Sequence, residues 1–497
     1  MKRSIPFLLL TAAIAGAQSF DVEPMPNPPG VDPQIGGLDV RPDGKLAAAF
    51  HRGEVMIFDP ATKSWSRFAE GLHEPLGLLC EGNDSVLVMQ RAELTRIKDV
   101  DGDGSADTYE TVFDDFGMSG NYHEFAFGPA RGPDGSLYIG LNVASNGAGI
   151  RPEIRGEWSD IGDATFEQMI QGPNFGKVRG KAGRMYARVA YRGWIIKLSP
   201  DGSKWEPFAS GFRSPDGIGF DAQGRLLVDD NQGDWRGTSP LYVVEKGGFY
   251  GHPASLVWTE GWDKGDPRKL PVEELDAMRT KPAARFPQGE LANSPTQPIA
   301  IPDSWGPYGG QTLIGEMNQP WLVRYLADEV GGVTQGSLTA MFNDTDLGKG
   351  NHRLAFSKDG TLWVGKTHLS WAGAEGLVKI TPKDIDKAFA VTAVELEKTP
   401  KGCGFRVSFS QPIGELDGIK MNRFDYKYHQ AYGSPKVDEA ALTPAEIANG
   451  TDNILLELTA EQAKEGAVHC IEFSGGTSKT GSKLGPTKLY YQATKLP

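Results

Sequence analysis

Three cysteines in 497 residues, Cys80, Cys403 and Cys470, are too few and too scattered for a disulfide framework or a thiolate metal site. Cys403 and Cys470 share the C-terminal region, and two readings of them stay open: one bridge formed in an oxidising compartment, or two buried thiols. No Cys-x-x-Cys-His is present, which excludes covalently held c-type haem, and there is no Gly-x-Gly-x-x-Gly opening a helix, phosphate loop or serine nucleophile elbow. Basic residues are also short. The 51 Lys plus Arg stand against 64 Asp plus Glu, a net charge of −13 that disfavours a phosphate backbone, so no nucleic-acid partner is expected. Long apolar runs are missing beyond the first residues, where Lys2 and Arg3 precede an apolar run over residues 5–16 that ends Ala15-Gly16-Ala17. That run is too short for a bilayer and leads to a small-residue cleavage site. Residues 1–17 are therefore expected to be a secretory signal peptide, with the mature chain periplasmic or extracellular and no transmembrane segment.

Helix-period stretches are scarce too, while 63 Gly and 34 Pro favour many short strands with tight turns, and the length calls for more than one domain. A phrase recurs: a Gly with apolar residues, a short strand, an Asp-Gly or Asn-Asp turn, then a Leu-rich strand. Copies stand at Gly37 with Asp43-Gly44, Pro75 with Asn83-Asp84, and Phe125 with Asp134-Gly135. Others stand at Gly217 with Gln223-Gly224 and Arg353 with Asp359-Gly360, and a diverged one covers residues 297–325. Six such units fit a six-bladed β-propeller over residues 18–385, because radial closure buries the faces of small sheets and protects their edges. Two insertions, residues 142–193 and 261–293, are too long for hairpin loops; the second carries a helix signal over residues 271–278, and both read as pocket walls or as surface decoration. From about residue 390 the pattern becomes alternating strands, as at Phe405-Arg406-Val407-Ser408-Phe409, which predicts a small immunoglobulin-like β-sandwich over residues 390–497. The fold class is all-β.

Two constellations carry chemistry on their own residues. Residues 99–110 place Asp99, Asp101, Asp103, Asp107 and Glu110 at loop positions one, three, five, nine and twelve, with Ser105 between and Gly at position six. That is the oxygen pattern a single loop needs to wrap a structural calcium, with a solvated acidic turn as the alternative. His123, before the strand Phe125-Ala126-Phe127, is either a proton acceptor or a hydrogen-bonded structural residue. Trp235, Trp371 and Tyr250 are candidates to stack on a sugar face or to pack between sheets.

Residues 211–253 form a strand meander whose ends carry Arg213, Ser214, Asp216, Asp230, Asn231, Gln232 and Asp234. This stretch resembles the matching blade of the soluble glucose and sorbosone dehydrogenases, and is closer still to the dehydrogenase-like propellers of secreted planctomycete and verrucomicrobial proteins. The resemblance covers most of residues 34–382. It implies an exported oxidoreductase that takes hydride from a sugar or polyol onto pyrroloquinoline quinone, with electrons leaving to a separate acceptor such as a cytochrome or quinone. It also implies that His123 is the catalytic base, that Arg213, Asp216, Asn318 and Arg353 stand at quinone-binding positions, and that Gly233 and Asp234 hold a cofactor-site calcium. The sequence departs from that pattern. Ser214 replaces Asn, Asp216 replaces Gln, Asn318 replaces Lys and Asn351 replaces a second Arg, so a tri-anionic cofactor loses two cations and meets an added carboxylate. Replacement cations are available in the first insertion at Arg151, Arg155, Arg184 and Arg188. The alternative is a non-catalytic, calcium-stabilised propeller that binds a glycan or protein partner. Tyr428-His429-Gln430-Ala431-Tyr432-Gly433-Ser434-Pro435 resembles a motif of the same secreted family and is expected to pack or dock the C-terminal domain.

Overall fold

The computed structural model describes residues 19–368 and 373–497; the expected signal peptide and Trp371 lie outside them. Its frame is six four-stranded antiparallel groups, four of them separate sheets and the last two joined through a single Glu316–Asn351 pair into one longer sheet. From the inside outward, the first holds Ile35–Val40, Leu46–Phe50, Val55–Asp59 and Ser64–Ala69, and the second Leu78–Cys80, Ser85–Met89, Leu94–Lys98 and Thr108–Phe113. The third holds Ala126–Arg131, Leu137–Leu141, Trp194–Leu198 and Trp205–Ser210, and the fourth Gly217–Phe220, Leu226–Asp229, Ser239–Val243 and Ala284–Phe286. The fifth holds Pro295–Ala300, Thr312–Glu316, Leu322–Val330 and Val333–Met341. In the sixth, Asn351–Phe356, Leu362–Lys366 and Gly376–Pro382 are completed by the N-terminal strand Phe20–Pro24, registered Phe20 to Pro382.

Burial explains the composition of the strands. Second strands such as Leu46–Phe50, Ser85–Met89 and Leu137–Leu141 are buried along their whole length, because both faces of each sheet meet a neighbouring sheet, while outer strands such as Thr108–Phe113 face water. Each neighbouring pair of sheets shares an apolar core. Ala49 and Val88, Leu87 and Ile139, Ile195 and Val228, Leu227 and Ile314, and Leu313 and Leu354 share buried clusters, and Trp363 meets Phe58 in the cluster that joins the sixth sheet to the first. The sheets therefore form a ring. Its innermost strands approach closely enough to require glycine: a Cβ on Gly77 would lie 1.5 Å from the Gly128 carbonyl oxygen, and one on Gly219 would lie 1.9 Å from that of Pro298. This is why Gly recurs in the repeated phrase.

The C-terminal strands form two facing sheets. One contains Val391–Thr399, Gly402–Phe409, Asn453–Thr459 and Glu446–Asn449; the other contains Thr487–Gln492, Val468–Phe473, Lys420–Tyr426 and Lys436–Leu442. Between them lies a core of Phe405, Val407, Leu456, Leu458, Ile471, Phe473 and Leu489. This second sheet is not separate from the ring, since Thr487–Gln492 pairs with Val333–Met341 (Gly336 to Gln492, Leu338 to Tyr490) and extends the fifth sheet outward. Cys80, Cys403 and Cys470 are all free thiols; Cys403 faces the sandwich core and Cys470 the seam with the fifth sheet. Among the described residues no helix is long and apolar enough to cross a membrane.

Candidate functional site on the loop face of the ring

Strands alternate in direction, so connections entering the innermost strands and those joining second to third strands emerge on one face, and the Asp-Gly hairpins on the other. The first face gathers His51, Glu74, Arg91, Tyr122, His123, Arg213, Asp234, Glu316 and Asn318. The opposite face carries the Asp99 loop, between Leu94–Lys98 and Thr108–Phe113. A cavity of about 680 Å³ also lies away from the loop face. It is an open cleft between the Gln223 hairpin, the fifth sheet and Thr392 and Glu395 of the C-terminal unit, and is a seam between parts of the fold rather than a place where reactive groups converge.

The centre of the ring is filled. Arg353 extends from the sixth sheet with Nε donating to the Gly36 carbonyl (2.9 Å) and Nη2 to the Leu76 carbonyl (2.9 Å) and to Asp216 Oδ1 (2.9 Å). His352 Nε2 lies 3.2 Å from the same oxygen, and its Nδ1 is 3.0 Å from the Ile35 carbonyl. These groups are buried, and the void beside them is only about 30 Å³. The adjacent Arg353 and His352 hold the Asp216 carboxyl at about 2 against the opposing effect of burial. Asp216 and Arg353, expected to grip a cofactor, instead bond each other and the backbone of other sheets. Nearby Asp229 is pushed well above the usual carboxylate range by burial beside Asp216 and Asp230.

His123 stands at the wall of this face. Buried Asn121 positions it, accepting from the backbone N–H of His123 (3.0 Å) and of Ser145 (3.1 Å) through Oδ1, while Nδ2 donates to the carbonyls of Ser145 (2.9 Å) and Ala148 (2.8 Å). His123 Nδ1 is 2.7 Å from the Val143 carbonyl, which places the ring proton on Nδ1 and leaves Nε2 as an acceptor. Desolvation, then the neighbouring Arg213 cation, push its pKa down to about 3, so the imidazole is neutral through the physiological range. Arg213 is 8% exposed, and its Nε is buried without a hydrogen-bond partner. The carboxylate coupled to it, Asp234, turns Oδ2 toward His252 Nε2 at 3.4 Å. Tyr122 beside His123 is 52% exposed, with its hydroxyl 3.3 Å from Ser145 Oγ.

The C-terminal unit reaches this face. Residues 428–435 lie along residues 232–237: the Trp235 N–H donates to the His429 carbonyl (3.0 Å), the Gly433 N–H to the Gly233 carbonyl (2.9 Å) and the Ser434 N–H to the Gly237 carbonyl (2.8 Å). Tyr428 Oη donates to the Gly251 carbonyl at 2.6 Å. The Gly233 carbonyl, expected to ligate a cofactor-site calcium, thus meets the C-terminal loop, and Asp234 bridges to Tyr432. Trp235 and Tyr250 are buried and pack, so neither presents a stacking face. Of the insertion arginines, Arg155 donates to the Phe116 and Ala92 carbonyls and Arg188 to those of Ser159 and Ala164, as structural fasteners. Arg184 lies over Tyr432.

These residues do not form a cradle for a three-carboxylate quinone. Arg353 is engaged at the axis, Asn351 gives its amide to the Trp321 and Gly348 carbonyls, and Asn318 offers a buried unpartnered acceptor oxygen where a cation would be needed. Lys366 is enclosed by the carbonyls of Leu347 and Lys349 (both 2.7 Å) and by Asn351 Oδ1 (2.9 Å), and burial lowers its pKa to about 7. Arg213 Nε is a buried donor without a hydrogen-bond partner among the described residues. In the Asp99 loop, carboxylate oxygens of Asp99, Asp101 and Asp107 lie within 4.8 Å of one another. Asp103 accepts from the Ser105 N–H (2.8 Å), and Glu110 faces Arg96 (3.6 Å).

Residues 59–190, which include His123 and most of the first insertion, match a family model described as Domain of unknown function (DUF7133). No curated protein matches the chain. Among solved structures it is similar to a PQQ-bound aldose sugar dehydrogenase from Streptomyces coelicolor, at 17% identity and TM-score 0.46, over 73% of this chain and 98% of that one. It is also similar to the PQQ domain of a pyranose dehydrogenase from Coprinopsis cinerea, at 13% identity and TM-score 0.47, over 73% and 96%. A calcium structure of a family AA12 carbohydrate-active enzyme from Trichoderma reesei stands at 14% identity and TM-score 0.45, over 74% and 97%. Identities this low carry neither substrate nor cofactor across, and the function has to be argued from the site.

Proposed function

We propose that this chain is an exported six-bladed β-propeller with a C-terminal immunoglobulin-like sandwich, and that its loop face binds a sugar or polyol at His123. The observation that carries this reading is the held imidazole. Asn121 and the Val143 carbonyl fix its orientation, its partly exposed position leaves Nε2 reachable, and its depressed pKa keeps that nitrogen an acceptor for a ligand hydroxyl. Exposed Tyr122 next to it offers the aromatic surface that the C–H face of a sugar prefers.

Oxidation of the bound hydroxyl, with its electrons passing to a separate acceptor such as a cytochrome or quinone, is the second reading. It is supported by His123 and by the nearby Arg213 guanidinium, since an anion bound to it would offset the part of the imidazole's depression that its charge adds to desolvation and make it a better base. The engaged Arg353 and the Gly233–Gly433 contact weigh for binding without oxidation. Calorimetry over a panel of sugars and polyols tests the first reading, with His123→Ala as control; no binding by any member refutes it. Dye reduction after adding calcium and pyrroloquinoline quinone tests the second, and a saturable, sugar-dependent rate lost in His123→Ala would establish it.

A further inference from the structure

The C-terminal docking loop does more than hold the sandwich in place. It carries Tyr432 onto the loop face, where the ring is 48% exposed although the flanking backbone is pinned through Gly433 and Ser434. Two guanidiniums lie on that ring: Arg184, 4.3 Å from the centroid, and Arg213, 5.6 Å from it. Among the described residues neither forms an ion pair with a carboxylate, although Asp234 acts electrostatically on Arg213. Arg213 is more than nine-tenths buried with an unpartnered Nε, while Arg184 is exposed. A buried guanidinium without a direct carboxylate contact is costly unless something supplies the charge, and its planar fork suits a carboxylate.

The same arc reaches His123. The backbone of Arg184 bonds Asn146, next to the Ser145 that meets Tyr122, and Arg213 acts electrostatically on His123. Along one wall stand a hydroxyl acceptor, two exposed tyrosine rings, the exposed Arg184 guanidinium and the largely buried one of Arg213. We infer that the ligand is a carboxylate-bearing sugar of the hexuronate class, that Arg213 and Arg184 take its carboxylate, and that Tyr432, supplied by the C-terminal sandwich, carries the sugar face. This rests on the proposed sugar site and adds the acid group and the second domain to it.

The test is calorimetry of the full chain with galacturonate and glucuronate against galactose and glucose, and with acetate alone. A uronate should bind about tenfold or more tighter than its neutral counterpart, as one charge-assisted pair to arginine gives. The preference should shrink with added salt. Arg184→Gln, on the surface, should lower uronate affinity by several-fold and neutral-sugar affinity by less, and Arg213→Gln should do so more strongly. Tyr432→Ala should weaken every sugar while Tyr432→Phe restores them, with near-ultraviolet circular dichroism confirming that each variant folds. Equal affinity for uronate and neutral sugar overturns the inference and leaves the sugar site standing; acetate binding as tightly as uronate overturns it as well. If no sugar binds at all, both readings fall.

Discussion

Arg353 separates a structural axis from a cofactor anchor, and its removal distinguishes them. In Arg353→Met the carbonyls of Gly36 and Leu76 lose their donor and Asp216 loses its guanidinium and keeps the hydrogen-bond contact with His352, all in a buried setting. Removing one member of a buried, hydrogen-bonded ion pair costs about 3–5 kcal/mol. For a chain of this length, with unfolding entropy proportional to size, that is a fall in Tm on the order of 5 °C. The pH dependence carries a second signature. Asp216 is held at about 2 against an ordinary value of 3.8, which corresponds to about 2 kcal/mol of stability from this carboxyl. Because the folded-state value is the lower one, that contribution is complete above about pH 4 and disappears as pH falls toward 2. Guanidinium unfolding of the wild type and Asp216→Asn across this range should therefore give curves that converge at the acid end. The reasoning is refuted if Arg353→Met unfolds like the wild type while losing ligand binding, because Arg353 would then be an anchor after all.

His123→Ala should abolish sugar binding with little change in Tm, and wild-type binding should be flat from pH 5 to 8 because the imidazole titrates only near 3; a binding curve with a midpoint near 6.5 would contradict this. Burial also lowers the pKa of His352, and that of His469 to about 4, so between about pH 6.5 and 4 the unfolded chain takes up protons that the folded chain refuses. Stability should fall with pH there, at a slope approaching about 4 kcal/mol per unit if all three histidines contribute, and His469→Gln should flatten it. Chelation should lower the thermal midpoint if Asp99, Asp101 and Asp107 hold calcium, and Asp101→Asn should remove the response; an unchanged midpoint in the wild type counts against the ion. A chain ending at residue 385 should aggregate, because it exposes the edge of Val333–Met341 and the apolar patch that Phe424, Val468 and Tyr490 cover; a soluble, monodisperse product would refute this.

Local rules carried much of the frame. The Asp43-Gly44, Asp134-Gly135 and Asp359-Gly360 turns do join strands, the Asp99 loop sits between Leu94–Lys98 and Thr108–Phe113, and the helix signal near residue 271 becomes Val272–Met278. What escaped was set by contacts distant in sequence. Nothing in Phe20-Asp21-Val22-Glu23-Pro24 announces pairing with Gly376–Pro382, and Arg353 reads as a ligand for an anion until Asp216, Gly36 and Leu76 are seen around it. Asn121 is a polar loop residue by type, yet its four bonds to residues 123–148 fix the histidine. Tyr432 was legible as part of a docking motif, but its arrival over Arg184 and Arg213 depends on the path of two units joined through a shared sheet.

The pairing of Phe20–Pro24 with Gly376–Pro382 fastens the beginning of the chain to a strand made long afterwards. Among the described residues this is the earliest strand, and it can complete the sixth sheet only after Gly376–Pro382 has been made. Five residues therefore act as a latch on the timing of assembly. A bulky group left just ahead of Phe20 would hinder the last step of closure rather than the first, and would trap a nearly finished molecule whose sheets are formed but whose circumference is incomplete.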